Sequence, residues 1–497
     1  MGYLDLQASL TDVDPLAVCN DGTPASFYFR KAPADSASAS LWLVYLEGGM
    51  WCYSQQTCDA RYALTPWEMS SNKQAPQLAL GGIFSTSAKN PWAQANVAYL
   101  PYCSSDAWVG DVAASNATFG YAFRGQRILQ ATLQALVRDL GLGSQRTGEK
   151  LLLSGCSAGA RGAMLNLDYV SPMLADLGIS AQQVAVSGLL DSPLWVEVPP
   201  ATPHITPLSN ETRAVFSFVN ATARLGPGCE ALYPYEEQWK CLFGQFRMPL
   251  LQTPYLLNAA QDDKFELPYN IGGTTPAGYD VQSWHPDQVA YAQAFGPQVS
   301  AVVASLPALP QQKRSAVFST ACFRHCVTDS AAFWNVAVAP PAGGAGGTTR
   351  LLGRRSVPAP LSLRDVASEW YFGKPPQPYR VVQSCVGFRC GDCTTRLAKK
   401  LAAGHKRGHA STVSYPADAS TSFAAHAATT IVVAMLLTAL AVGCMLRSAA
   451  ATAVQSARVL PASEYARPLM TGLRSSGASA MARPGEKRYM TSERMRF

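Results

Sequence analysis

"LLLSGCSAGARG" (151–162) ends an apolar run in a turn with Ser157 at its centre and a glycine two places away on either side. Downstream, "AGARGAMLNLDYVSPML" (158–174) carries apolar residues at helical spacing. Upstream, "KLLLSG" (150–155) is short and apolar, the pattern of a buried strand. A strand, a sharp Gly-x-Ser-x-Gly turn and a helix together form a nucleophile elbow. It exposes a serine hydroxyl and sets the next backbone N–H at a helix N-terminus. An ordinary strand-to-helix turn uses the same glycines, so the rest of the chain decides between the two.

Working outward, short apolar runs alternate with longer helical stretches. "LWLVYLEGG" (41–49), "NVAYLPYC" (96–103), "QVAVSGLLD" (183–191) and "PYLLNAAQDD" (254–263) read as buried strands ending in loops. "ILQATLQALVRDL" (128–140) reads as a helix ending near Gly141. This alternation predicts an α/β fold with a doubly wound, mostly parallel sheet, whose site lies at the carboxyl ends of the strands.

A serine nucleophile needs a base, and the base needs an orienting carboxylate. Of the six histidines, His405, His409 and His426 fall in a polar C-terminal stretch, while His204 and His285 sit beside prolines as plain loop residues. His325 follows the strand-like run of "AVFSTACFRHCVTD", late in the domain where a hydrolase base belongs. Asp262 and Asp263 both end a strand-like run between Ser157 and His325, and spacing alone does not separate them. For the oxyanion, "YLEGGMWC" (45–52) offers a glycine loop after a strand. The candidate donors are the N–H groups of Gly49, Met50 and Ala158.

At 497 residues and 48% hydrophobic content the chain buries a large core. Its formal charge of +7 is concentrated at the end: from Arg447 onward there are nine Lys/Arg against three Glu, leaving 31 basic and 30 acidic groups elsewhere. The large domain therefore has no electrostatic footprint for nucleic acid. Residues 427–446 carry no charge over twenty positions, the length that spans a bilayer as a helix. The expected organisation is a hydrolase-like domain (1–395), a stalk (396–426), a transmembrane helix (427–446) and a basic disordered tail (447–497). The tail faces the cytosol and the large domain lies outside or in the lumen. Twelve of the thirteen cysteines and the sequon residues Asn116, Asn210 and Asn220 precede the apolar stretch, which fits an oxidising, glycosylating compartment. The first residues show neither a basic n-region nor an apolar h-region. Either a leader belongs upstream of this sequence or the C-terminal helix directs insertion.

Several ordered blocks together resemble the pectin acetylesterase / Notum family of serine carboxylesterases. They are "AVCNDGTPASFYF" (17–29), "LVYLEGGMWC" (43–52), "CDARY" (58–62), "NPWAQANVAYLPYCSSDAWVGD" (90–111), "LLLSGCSAGARGAMLNLD" (151–168), "NAAQDD" (258–263), "ACFRHC" (321–326) and "VASEWYFG" (366–373). The resemblance implies an α/β-hydrolase fold, with Ser157 as nucleophile, His325 as base and Asp262 as orienter. It prefers Asp262 to Asp263 because the family's aspartate stands four places after the asparagine of its block. Two departures stand out: Met50 where pectin acetylesterases carry a third glycine, and "QDDKFE" (261–266) where they carry an aromatic before the Asp and Trp-Gln after it.

The implied activity is carboxylic ester hydrolysis without metal or other cofactor. The leading expectation is deacetylation of a carbohydrate; the alternative is removal of a long acyl chain from a lipidated protein. A third reading is an inactive, membrane-tethered binding protein on the same fold, kept open by the altered aspartate block. Cys390, Cys393, His405 and His409 approach a zinc-finger spacing. In an oxidising compartment, however, disulfides are the expected state of these cysteines. Cys156 is a minor alternative nucleophile, since the turn centres on Ser157.

Overall fold

The computed structural model describes residues 1–390 except 8, 37, 146, 273–280, 307–314, 339–359, 374–378 and 385–386. The chain divides into two units, Met1–Ser411 and Thr412–Phe497, and all described residues belong to the first. The expected stalk, the apolar stretch 427–446 and the basic tail lie outside the described residues, as do Cys393, His405 and His409. Among the described residues, no helix is long and apolar enough to cross a membrane.

Twelve strands are described: β1 (Gly2–Leu6), β2 (Tyr28–Arg30), β3 (Leu41–Leu46), β4 (Gln77–Leu80), β5 (Asn96–Leu100), β6 (Glu149–Cys156), β7 (Val184–Asp191), β8 (Tyr255–Asp263), β9 (Ala316–Arg324), β10 (Ala337–Val338), β11 (Leu361–Ser362) and β12 (Tyr379–Val382). Ten of them form one sheet in the order β12-β9-β8-β7-β6-β3-β5-β2-β1-β4. From β12 to β5 every pairing is parallel, as expected. Beyond β5 the sheet turns antiparallel through β2, β1 and β4, an edge not visible in the sequence. Those strands are short, and β4 alternates exposed and half-buried residues, so none makes an apolar run.

The parallel strands read as nearly continuous apolar runs because helices cover both sheet faces. In β3, Trp42, Val44 and Leu46 pack into one core and Leu41, Leu43 and Tyr45 into the other. Each helix that returns the chain must bury one face, which α1 (Gln55–Leu64), α2 (Gly125–Arg138) and α3 (Ala158–Asp176) do to different extents. α2 buries Ile128, Leu129, Leu133 and Leu136, while α1 buries only Cys58. From β3 the chain moves to β5 on one side and then returns to β6 on the other. This reversal opens a crevice at the carboxyl ends of β3 and β6, where doubly wound sheets bind ligands.

Candidate active site

The loop after β3 and the turn after β6 meet at that crevice. Ser157 sits between β6 and α3 at φ 57° and ψ −123°, with its N–H donating to the Asp191 carbonyl at 3.0 Å. A positive φ at a non-glycine residue is costly and persists only where the surroundings enforce it. The enforcement comes from close packing. A Cβ on Gly159 would collide with the Leu46 carbonyl at the end of β3, and one on Gly48 would collide with the Cys156 carbonyl and come within 3.0 Å of Ser157 Cβ. The glycines of both motifs are therefore required by contact between the two loops.

A cavity of about 550 Å³ opens there, lined by Gly48, Gly49, Met50, Ser157 and His325, with Phe265 beside them. Ser157 is largely buried, 7% exposed, and lines the cavity. Of the expected oxyanion donors, Gly49 and Met50 line the cavity, and Ala158 opens α3 next to Ser157. Met50 adopts φ 61°, and Tyr102 donates its hydroxyl proton to the Met50 carbonyl at 2.7 Å. The disulfide Cys52–Cys58 ties the end of this loop to α1. Behind it, the buried Arg161 guanidinium lies 4.1 Å from the Trp51 ring centre and 3.6 Å from that of Trp195.

The carboxylate beside His325 is Asp263, not the expected Asp262. His325 Nδ1 lies 2.8 Å from Asp263 Oδ2 and 3.0 Å from Oδ1, while Asp262 instead accepts the Arg389 N–H at 2.8 Å. Asp263 Oδ1 also accepts the N–H groups of Phe265 and Glu266, which fixes the carboxylate's direction. The cause is the pleat. Successive strand residues point to opposite faces, so a one-place shift exchanges the two carboxylates. β8 continues to Asp263, and a register shift against β9 near Ala260–Asp262 brings Asp263 opposite Arg324, the residue before His325. Asp262 is buried on the other side, and that burial pushes its carboxyl up to about 6 despite the Arg389 N–H.

Burial alone would lower the His325 pKa, but the charge and hydrogen bond of Asp263, joined by the Asp191 and Asp329 charges, outweigh it and hold the imidazole above its ordinary 6.5. With Nδ1 committed to Asp263, Nε2 is the nitrogen left for chemistry. The His325 loop is anchored by a residue that sequence reasoning missed. Asp191, at the end of β7, accepts Val327 N–H, Thr328 N–H and the Thr328 hydroxyl, each at 2.7 Å, through one oxygen. A buried carboxylate at a strand's carboxyl end was the available signal.

The rest of the cavity wall combines the Cys156–Cys326 disulfide with the polar side chains of Tyr45, Glu47, Arg61, Glu68, Tyr99 and Asp329. Arg61 pairs with Glu68 at 3.1 Å. Burial raises Glu47 to about 7, opposed by the Tyr102 N–H and the Tyr99 hydroxyl. Burial also raises Asp329 to about 6, with the Asp191 charge adding to it.

Cys156, His325 and Cys326 have donor atoms within 4.8 Å of one another, a spacing that suits a metal ion. Both sulfurs belong to one disulfide, however, and a bonded sulfur is not the thiolate that ligates metal. The same bond removes Cys156 as a nucleophile. Cys390 is also disulfide-bonded, which takes it out of the zinc spacing. Asn116, Asn210 and Asn220 are all exposed.

Residues 5–347 match the sequence profile of the family described as Pectinacetylesterase. The chain is 37% identical over 244 residues to the palmitoleoyl-protein carboxylesterase notum1' of Xenopus laevis, a match covering 48% of this chain and 47% of that protein. It is 33% identical over 316 residues to the human palmitoleoyl-protein carboxylesterase NOTUM, covering 62% of this chain and 58% of that one. These matches span about half to three-fifths of the relatives' length. The crystal structure of the Wnt deacylase Notum from Drosophila superposes with a TM-score of 0.64 at 27% identity, covering 78% of this chain and 98% of that one. With the profile matching well over half of its length, the chain belongs to the pectinacetylesterase family.

Proposed function

We propose that this protein is a serine carboxylesterase that releases short acyl groups from the hydroxyls of a neutral carbohydrate. The observation that carries the reading is the cavity: Ser157, His325 and the glycine loop open into a space that Glu47, Glu68, Asp329, Arg61, Tyr45 and Tyr99 line together with the apolar Met50, Phe265 and the Cys156–Cys326 disulfide. Its polar side chains suit hydroxylated acceptors, whereas a long acyl chain needs a predominantly apolar pocket. Three carboxyls against one guanidinium also disfavour a polyanionic acceptor.

In this mechanism His325 Nε2 takes the Ser157 proton as Oγ attacks the ester carbonyl. The oxyanion is held by the N–H groups of Gly49, Met50 and Ala158, while Asp263 stabilises the imidazolium. Collapse of the tetrahedral intermediate expels the alcohol, which takes the proton from His325. A water deprotonated by His325 then attacks the acyl-serine, and the carboxylic acid leaves with Oγ reprotonated.

The test is hydrolysis of p-nitrophenyl acetate, octanoate and myristate by the full chain and by Ser157→Ala. Wild-type turnover that falls with chain length and vanishes in the variant supports the proposal. Equal rates in the two proteins overturn it. The names of the relatives favour a second reading, removal of a long acyl chain from a lipidated protein, and turnover rising with chain length would establish that one. Failure of a fluorophosphonate to label Ser157 would favour a binding protein without catalysis.

We propose the same compartment as the sequence suggests, extracellular or lumenal with residues 427–446 as a membrane anchor. Support comes from the disulfides Cys19–Cys103, Cys52–Cys58, Cys156–Cys326 and Cys229–Cys241.

A further inference from the structure

Cys156 immediately precedes the nucleophile turn and Cys326 immediately follows His325, and the two are joined by a disulfide across 170 residues of chain. Their strands are not neighbours: β7 and β8 lie between β6 and β9. At a strand spacing of about 4.8 Å, β6 and β9 are roughly 14 Å apart, yet the two Cα atoms are 5.6 Å apart. The loop after β9 therefore folds back over the ends of two strands to reach β6.

Along that path it is fastened at the end of every strand it crosses. Asp263 at the end of β8 holds His325, and Asp191 at the end of β7 holds Val327 and Thr328. Cys156 at the end of β6 holds Cys326. The first two fastenings fix the loop's height and the direction of Nδ1. Only the third reaches the strand that carries Ser157. Both ends of the bridge adjoin or occupy unfavourable backbone, since Ser157 has φ 57° and Cys326 φ 60°. Without a tether, each turn can relax toward ordinary conformations and move its side chain.

We propose that the Cys156–Cys326 disulfide is a positioning element of the catalytic site. It sets the distance between Ser157 Oγ and His325 Nε2, so the enzyme works only in its oxidised form. The proposal rests on the serine-esterase reading above. Both cysteines line the cavity, so a small dithiol reaches the bond. One thiolate of the dithiol attacks a bridge sulfur and releases the other as a thiolate, which is protonated. The second thiol of the dithiol then displaces the remaining cysteine, leaving two free thiols in the enzyme and a cyclic disulfide in the reagent.

The experiment compares wild type, Cys156→Ala/Cys326→Ala and, as a control bridge away from the cavity, Cys229→Ala/Cys241→Ala. The readouts are kcat and KM on p-nitrophenyl acetate, the kcat pH profile, and fluorophosphonate labelling. The expected result is a drop in kcat of at least about tenfold in the first variant, with KM little changed and labelling slowed in parallel. The control bridge is expected to leave kcat nearly intact. Should the first variant not fold, mild dithiol treatment of folded wild type followed by oxidised glutathione replaces it, with loss and recovery of kcat expected. A first variant with wild-type kcat and labelling rate overturns the proposal, as does reduced wild type with full activity. Wild type inactive on every ester overturns the esterase reading itself, and the proposed role with it.

Discussion

His325 Nδ1 lies 2.8 Å from Asp263 Oδ2, while the adjacent Asp262 carboxylate accepts a backbone N–H from Arg389. Two neighbouring acids thus have separate partners, set by the face of β8 from which each projects.

The first prediction follows from that division. Asp263→Asn removes the charge that stabilises the imidazolium and lets the ring take the wrong tautomer. In a Ser-His-Asp enzyme that change costs about 10⁴ in kcat, and a loss of that order is expected here. Asp262→Asn keeps its oxygen for the Arg389 N–H and is expected to retain most of kcat. Steady-state kinetics on the two variants would contradict the assignment if their effects were reversed.

The pH dependence carries a definite sign. His325 acts as a base only when neutral, and its folded pKa is raised above 6.5. Activity is therefore expected to be lost as pH falls through that raised value and to recover above it, placing the acid limb of the kcat/KM profile above 6.5. In Asp263→Asn the residual activity should show the limb displaced downward, because only the weaker Asp191 and Asp329 charges then oppose burial. A limb that stays put in that variant would speak against the pair.

Asp191 supplies a third test. One of its oxygens accepts three hydrogen bonds from residues 327 and 328. Asp191→Ala strands those donors in a buried place, at about 1–3 kcal/mol for each unpaired group. We expect a clear fall in unfolding free energy by denaturant titration and faster amide exchange at Val327 and Thr328. Asp191→Asn, which keeps an acceptor oxygen, is expected to recover part of both.

Gly48 lies against the nucleophile turn. In Gly48→Ala the new methyl group meets the Cys156 carbonyl and Ser157 Cβ. Overpacking of this kind costs about 1–3 kcal/mol. Because the strain falls between the oxyanion loop and the nucleophile, kcat should drop more than thermal stability does. A variant with unchanged kcat would show that the two loops are not held in register by this contact.

The sequence by itself determined the elbow at Ser157, the buried parallel strands and the glycine loop, because each is a local pattern. Apolar runs of strand length, helical spacing and glycines at turns are written in neighbouring residues. It also narrowed the candidate base to His325 by elimination and chain order. Tertiary structure alone decided which of Asp262 and Asp263 meets His325, because that depends on strand pleat and on a register shift between β8 and β9, strands more than fifty residues apart. The same holds for Asp191 and for the Cys156–Cys326 bridge. Their partners meet only after the loop that follows β9 folds over one intervening strand end to reach Asp191 and two to reach Cys156, and no spacing along the chain encodes that crossing.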